Sequence, residues 1–402
     1  MSQQAPLPLD GVVVLDCTQV MAGPFCTLLL GDMGADVIKV ERPEGDDVRR
    51  QGPPWIAGRA ASFMAINRNK RSIVLNLRTD EGKEVFRTLA RRADVVTENF
   101  RPGTMDRLGL GYKQLGALKP ELIYAAISGF GQTGPYSQRR GFDLVAQGMS
   151  GLMSVTGHPD TPPVKVGVPI TDLTSGMYAA YGILNAYIHR LKTGRGQMVD
   201  TSLLEAGIAY SFWESTVYFY GGEVPGPLGS AHRLSAPYQA FRTSDGYMNI
   251  GGATQRTWAS LCKAIGREEL TSDPRFIEPG DRKMREAELA ATLEEAFSTG
   301  TTDHWMKVLD EAGVPCGPIN DLDQVYNDPH VLAREMLVEQ QDPDVGTLKN
   351  IGIPVKLSET PGRIRRRAPD LGQHTREVLL EAGYTGDDVD RMRDAGTVKE
   401  GG

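Results

Sequence analysis

The sequence predicts an α/β protein: a doubly wound parallel sheet in a large domain, followed by a smaller α+β domain. Three observations carry this reading. Short apolar runs alternate with helix-length segments through the first half of the chain, as βαβ units do. The runs are continuous in Val, Ile and Leu rather than alternating, which marks strands buried on both faces. Between Gly221 and Gly229 the composition shifts to Gly and Pro, as at a linker.

The elements follow in order. Gly11–Asp16 reads as a short buried strand that ends on a polar residue. Val20–Pro24 is a turn, with Pro24 suited to the first helical position. Phe25–Met33 is an apolar helix closed by Gly34, and Ala35–Val40 is a second strand. The rhythm repeats with strands at Ser72–Leu77, Asp94–Glu98 and Leu122–Ile127, and helices at Asp80–Ala93 and Tyr112–Leu118. Ser175–Leu191 is helical and apolar nearly all round, which predicts a buried helix. Lys192–Gln197 is a turn and Met198–Leu203 is extended. Beyond the linker, Tyr247–Gly251 is strand-like, and Arg256–Ala264 and Arg282–Ser298 are helical. Gln324–Leu337 and Thr375–Ala382 are helical stretches that can return to the first domain.

Composition excludes several classes. With 44 Lys+Arg against 51 Asp+Glu the net charge is −7, which argues against nucleic acid as a partner. No apolar run approaches the roughly 18 residues of a membrane span, and the first residues show no secretory signal. Cys17, Cys26, Cys262 and Cys316 are scattered, so they read as reduced thiols of a cytoplasmic protein rather than a disulfide or metal set. The 46 glycines exceed the typical share of about 7%, and 24 of them fall between Gly103 and Gly252. That concentration marks close backbone approaches as well as turns.

Familiar catalytic motifs are absent. No Walker A, His-Glu-x-x-His or Gly-x-Ser-x-Gly occurs. Ser260–Lys263 matches Ser-x-x-Lys, as chance allows in a chain this long. The six histidines have no metal spacing, so no metal is expected. Asp172, between apolar residues at the start of a long helix, has two readings. It is a helix N-cap, or it is a partly desolvated carboxylate nucleophile, already ionised at neutral pH. Arg42, Arg68, Lys70, Arg71 and Arg107 lie near strand ends, where ligands bind in open α/β sheets. Basic groups there suit a polyphosphate. Arg363, Arg365, Arg366 and Arg367 read as a solvated face.

Nine blocks in order carry a resemblance over nearly the whole chain. They are Val20–Pro24, Gly34–Pro43, Asn67–Ser72, Glu98–Gly103, Ser128–Gly131, Thr171-Asp172, Lys192–Gln197, Gly313–Pro318 and Leu371–Thr375. In these the sequence resembles the family III CoA-transferases, the CaiB/BaiF family. The resemblance implies a Rossmann-like CoA-binding domain from both ends of the chain (residues 1–223 and 324–402), a small domain (224–323) between them, and an interlocked homodimer.

The same resemblance implies that Asp172 attacks an acyl-CoA thioester. Val20, Met21, Ala22, Arg42, Leu75, Arg78, Asn99, Phe100, Arg107 and Arg140 would contact CoA, which serves as substrate and not as a tightly bound cofactor. Asp143 would stand near the nucleophile. Gly229–His232 would offer backbone N–H groups to oxyanions, and His232 or Arg233 would meet a second carboxylate. The 2-methylacyl-CoA racemases of the family carry His where this chain has Phe142, so their acid–base pair is incomplete here. Gly131–Ser137 and Pro237–Phe241 resemble enzymes that handle short dicarboxylic acids such as succinate. Transfer of CoA between carboxylic acids is therefore expected ahead of racemisation or of a non-catalytic CoA-binding role.

Overall fold

The computed structural model describes residues 6–401. Its principal sheet has six parallel strands: β1 (Val13–Asp16), β2 (Asp36–Glu41), β3 (Lys70–Leu75), β4 (Val95–Glu98), β5 (Ile123–Ser128) and β6 (Met198–Ser202). A seventh, β7 (Val398–Lys399), pairs antiparallel with β3 at one edge. The order is β7-β3-β2-β1-β4-β5-β6. Leu15 in β1 lies opposite both Ile38 and Val96, so the strand order reverses between β1 and β4. That reversal is the topological switch point, the place where this fold class binds ligands.

Successive strand residues point to opposite faces, and the core divides accordingly. Leu15, Ile38, Ile73 and Val96 meet Phe86, Leu89, Val378 and Met392 on one face. Val14, Val37, Val95 and Ile123 meet Cys26, Leu30, Ala179 and Ile183 on the other. The second set comes from α1 (Ala22–Asp32) and the helix Ile170–Thr193. On the first face, α2 (Asp80–Arg92) begins where Thr79 accepts the Gly82 N–H at 3.0 Å. Asp80 and Glu81 sit in its first turn and Arg91 and Arg92 in its last, each favourable to the helix dipole.

Several elements differ from expectation. α1 starts at Ala22, so Pro24 occupies its first turn, where a backbone N–H would have no intrahelical partner anyway. Arg282–Ser298 splits into Pro279–Met284 and Glu286–Phe297. Gln324–Leu337 breaks at Asp328-Pro329 into two short helices, because a residue before proline is pushed out of helical geometry. Leu337 instead opens a hairpin, Leu337–Asp342 with Gly346–Ile351.

The long helix also departs from its expected burial. Ala179, Ala180, Ile183 and Ala186 are buried, but Met177, Tyr178, Tyr181, Leu184, Ile188 and Leu191 are exposed. Their three- and four-residue spacing makes one apolar stripe, so the sheet and α1 cover only the opposite face.

The chain divides into two compact units. The large one comprises residues 6–150, Val166–Tyr210 and the chain from His330 onward. The small one comprises Gly151–Lys165 and Ser211–Pro329. In the small unit Tyr247–Gly251 is the centre of a three-stranded antiparallel sheet, flanked by Tyr238–Arg242 and Cys316–Pro318. Trp258, Leu261, Phe241, Leu293, Phe297 and Leu309 form its core.

Candidate active site

The switch point opens into a cavity of about 480 Å³. The loop after β1 (Cys17, Thr18, Gln19) forms one wall, and the segment after β2 from Arg42 to Asp46 forms another. Leu75 and Arg78 after β3, and Phe100 and Arg107 after β4, complete it. Five residues implicated by resemblance thus share one cavity: Arg42, Leu75, Arg78, Phe100 and Arg107. Arg42 is committed to Asp47 and to the Gly45 carbonyl. Arg78 and Arg107 make no ion pair among the described residues, which leaves two cations for an anionic ligand.

The loops around the cavity are braced from below. Asn99 accepts the Gln19 N–H and donates to the Gln19 carbonyl, both at 2.8 Å, so β1 and β4 are tied at the switch point. Glu98 accepts the Phe100 N–H at 2.7 Å, and burial pushes its carboxyl up to about 7. Val20 has φ +67°, a left-handed conformation that costs a β-branched residue about 1–2 kcal/mol.

Asp172 lies elsewhere on the same unit. It is the third residue of α4, the helix Ile170–Thr193, and not its cap, which is Pro169. The N-cap reading therefore fails. Two close backbone approaches set its surroundings. A Cβ on Gly129 would lie 2.8 Å from the Gly141 Cα, so the chain after β5 crosses directly over Gly141. This crossing delivers Asp143, the first residue of α3 (Asp143–Met149). Asp143 then accepts the Thr171 N–H at 2.9 Å, the Thr171 hydroxyl at 2.8 Å and the Gln147 amide at 2.7 Å. At Gly176, one turn past Asp172, a Cβ would lie 2.5 Å from the Ala22 carbonyl oxygen, so α4 packs backbone to backbone on the start of α1.

No hydrogen-bond donor reaches the Asp172 carboxylate among the described residues, and burial followed by the nearby Asp143 charge pushes its carboxyl up to about 7. The positive end of a helix favours the ionised form; here desolvation wins. The product is a carboxylate with no competing partner, held in place by its neighbours and more basic than an ordinary aspartate.

Other expected residues fall outside these two clusters. Met21 caps α1 and Ala22 begins it. Arg140 is exposed and does not line the cavity. Arg68, Lys70 and Arg71 are structural: Arg68 pairs with Asp32, fully buried Lys70 with Asp16, and Arg71 with Asp36, Glu377 and Glu381. The arginine run is a solvated face only in part, with Arg365 and Arg366 exposed. Arg367 pairs with Asp342, Asp344 and Asp370, and Arg365 donates to the Gly31 and Ala35 carbonyls.

Gly229 and His232 belong to the small unit. The N–H groups of Gly229, Ala231 and His232 are already donated to Gly157, Leu228 and Tyr238, so this conformation does not offer them to an oxyanion. Among the described residues no group of three or more His, Cys, Asp or Glu could hold a metal ion.

The model of CoA-transferase family III matches residues 9–375. The chain belongs to that family. This family III CoA-transferase is 40% identical over 375 residues to the succinyl-CoA:glutarate CoA-transferase of Homo sapiens, covering 93% of this chain and 86% of that one. It is 42% identical over 388 residues to the succinyl-CoA:mesaconate CoA-transferase of Haloarcula marismortui, covering 93% and 96%. A crystal structure of a CAIB/BAIF family protein from Brucella suis superposes with a TM-score of 0.84 at 40% identity, covering 94% of this chain and all of that one.

Sequence reasoning missed the groups that brace the cavity: Asp16, Lys39, Asp46 and Glu98. A signal for one existed. Lys39 interrupts the apolar run Val37-Ile38-Lys39-Val40, and a lysine inside a strand buried on both faces needs a buried partner.

Proposed function

We propose that this enzyme moves CoA between short dicarboxylic acids through an aspartyl-CoA thioester on Asp172. The observation that carries it is the Asp172 carboxylate itself: desolvated, without a donor, and anchored through Thr171 to Asp143. The substrate class is supported by relatives that use succinyl-CoA with glutarate, mesaconate or D-citramalate.

In this mechanism an Asp172 oxygen attacks the donor thioester carbonyl. The C–S bond breaks, leaving a mixed anhydride and CoA thiolate. The thiolate attacks the aspartyl carbonyl and expels the donor carboxylate, which gives the aspartyl-CoA thioester. The acceptor carboxylate attacks that thioester and releases the thiolate. Attack of the thiolate on the acceptor's acyl carbon forms the new acyl-CoA and regenerates the Asp172 carboxylate. Every step exchanges one acyl derivative for another, so atoms and electrons balance without a redox partner. The cavity at the switch point takes the nucleotide end of CoA, with Arg78 and Arg107 on its phosphates and Phe100 against adenine.

The functional protein is a cytoplasmic homodimer with interlocked chains. The exposed stripe from Met177 to Leu191 supports a second copy, and the free thiols suit a reducing compartment. Incubation with succinyl-CoA and a panel of dicarboxylates in deuterium oxide tests the reaction. Transfer of CoA without deuterium at the α-carbon is expected; α-deuteration without transfer contradicts it.

A further inference from the structure

In the loop that walls the cavity, five backbone polar groups from Thr18 to Val20 are held by side chains. The Thr18 N–H goes to Asp16 at 2.9 Å, and the Thr18 carbonyl receives the Lys39 ammonium at 2.8 Å. Asn99 holds Gln19 at both ends. The Val20 N–H points at both oxygens of Asp46, at 3.3 and 3.2 Å. Lys39 and Asp46 form an ion pair at 3.0 Å with almost no exposure. Asp46 also accepts the Val48 N–H at 3.1 Å, so its carboxylate is fixed on both sides.

Val20 is the weak point of this arrangement. Its positive φ is the conformation a glycine adopts freely and a β-branched residue resists. Something must hold it there, and Asp46 is the group whose oxygens meet its N–H. Gly23 shows how tight the loop is: a Cβ there would lie 2.3 Å from Thr18 Cβ. Relaxation of Val20 towards negative φ would therefore move Thr18 and Gln19, two residues of that cavity wall.

We propose that Lys39 and Asp46 are a positioning pair for acyl-CoA binding, which holds strained Val20 so that Cys17–Gln19 keep the shape of the cavity wall. Lys39 acts twice, by anchoring the Thr18 carbonyl and by keeping Asp46 ionised and aimed at Val20. Neither residue touches the reacting atoms. The inference rests on the reading that this cavity takes CoA.

The test is a double-variant cycle on the full-length protein, read by calorimetric titration with CoA and by KM and kcat for succinyl-CoA. Asp46→Asn keeps the size of the side chain but removes the charge that holds both Lys39 and Val20. It is expected to weaken CoA binding by about tenfold, the scale of one hydrogen bond to a charged group, with KM rising more than kcat falls. Val20 itself does not line the cavity, contrary to the expected CoA contact, so adding Val20→Gly removes the strain and the double variant is expected to recover most of that loss. A general structural defect at Asp46 would not be repaired by a glycine at 20. Wild-type affinity in Asp46→Asn, or no recovery in the double variant, overturns the inference. If Asp46→Asn alone does not melt cooperatively, the double variant decides: folded and CoA-binding supports the pair, and unfolded or non-binding refutes it. Wild-type protein that does not bind CoA overturns the reading of the cavity and the inference with it; wild-type binding with an unresponsive cycle overturns the inference alone.

Discussion

Asp143 accepts both the backbone N–H and the hydroxyl of Thr171, at 2.9 and 2.8 Å, one residue before Asp172. A carboxylate that takes two bonds from residue 171 fixes the first turn of α4 without touching the side chain of residue 172. It also places a negative charge beside Asp172, which together with burial keeps that carboxyl more basic than usual. One neighbour thus fixes the position of Asp172 and adds to the effect of burial on its carboxyl.

Replacing the proposed nucleophile should stop the chemistry while leaving the fold. Asp172→Asn is expected to lower kcat for CoA transfer by at least about 10³-fold. The CoA dissociation constant should change by less than about threefold, since the cavity at the switch point is built from other loops. Steady-state assay alongside titration calorimetry checks both halves.

The raised carboxyl of Asp172 predicts two pH dependences. The attacking form is ionised, so kcat/KM should fall as pH drops through about 7. Stability runs the other way. A carboxyl whose folded pKa lies above its unfolded value of 3.8 binds more protons when folded. The wild type therefore loses stability as pH rises from about 4 to 7, and levels off above that. Asn carries no such cost, so Asp172→Asn should match the wild type near pH 4 and exceed it at pH 8 by up to about 4 kcal/mol. Thermal melts across pH measure the difference.

Arg78 and Arg107 have no carboxylate partner among the described residues, so their charge is available to ligand phosphates. Arg78→Ala and Arg107→Ala should each raise KM for the acyl-CoA about five- to tenfold with a smaller effect on kcat. The penalty should shrink at high salt, where wild-type binding is itself screened.

Gly176 allows α4 to meet the Ala22 carbonyl at backbone distance. Gly176→Val must push the helix away from α1, at a cost of about 1–3 kcal/mol by overpacking. Because Asp172 rides on the same helix, kcat should fall further than stability alone explains, a split that denaturant melts and kinetics resolve.

The sheet was largely legible in the sequence because strands such as β1 and β5 are short runs, Val12–Leu15 and Ile123–Ile127, apolar on both faces. Tyr112–Leu118 ends where its pattern ends. α4 was harder. The apolar pattern predicts a helix over Ser175–Leu191 with Asp172 at its start, yet Asp143, 28 positions away in sequence, satisfies the first turn and lets it begin at Ile170. Periodicity read the helix as buried all round, and composition cannot say that its Tyr181 face lies open in one chain. The same limit applies to the basic residues. Arg107 and Lys70 look alike in sequence, but only long-range packing tells that Lys70 is spent on Asp16 while Arg107 faces the cavity.

The central claim is a covalent bond to one side chain. Protein incubated with succinyl-CoA and no acceptor, then treated with hydroxylamine and digested, should yield a hydroxamate on Asp172 in the peptide containing Thr171-Asp172-Leu173, absent from Asp172→Asn. An unmodified Asp172 peptide in a sample that transfers CoA at full rate, or a hydroxamate on any other carboxylate, would contradict the account.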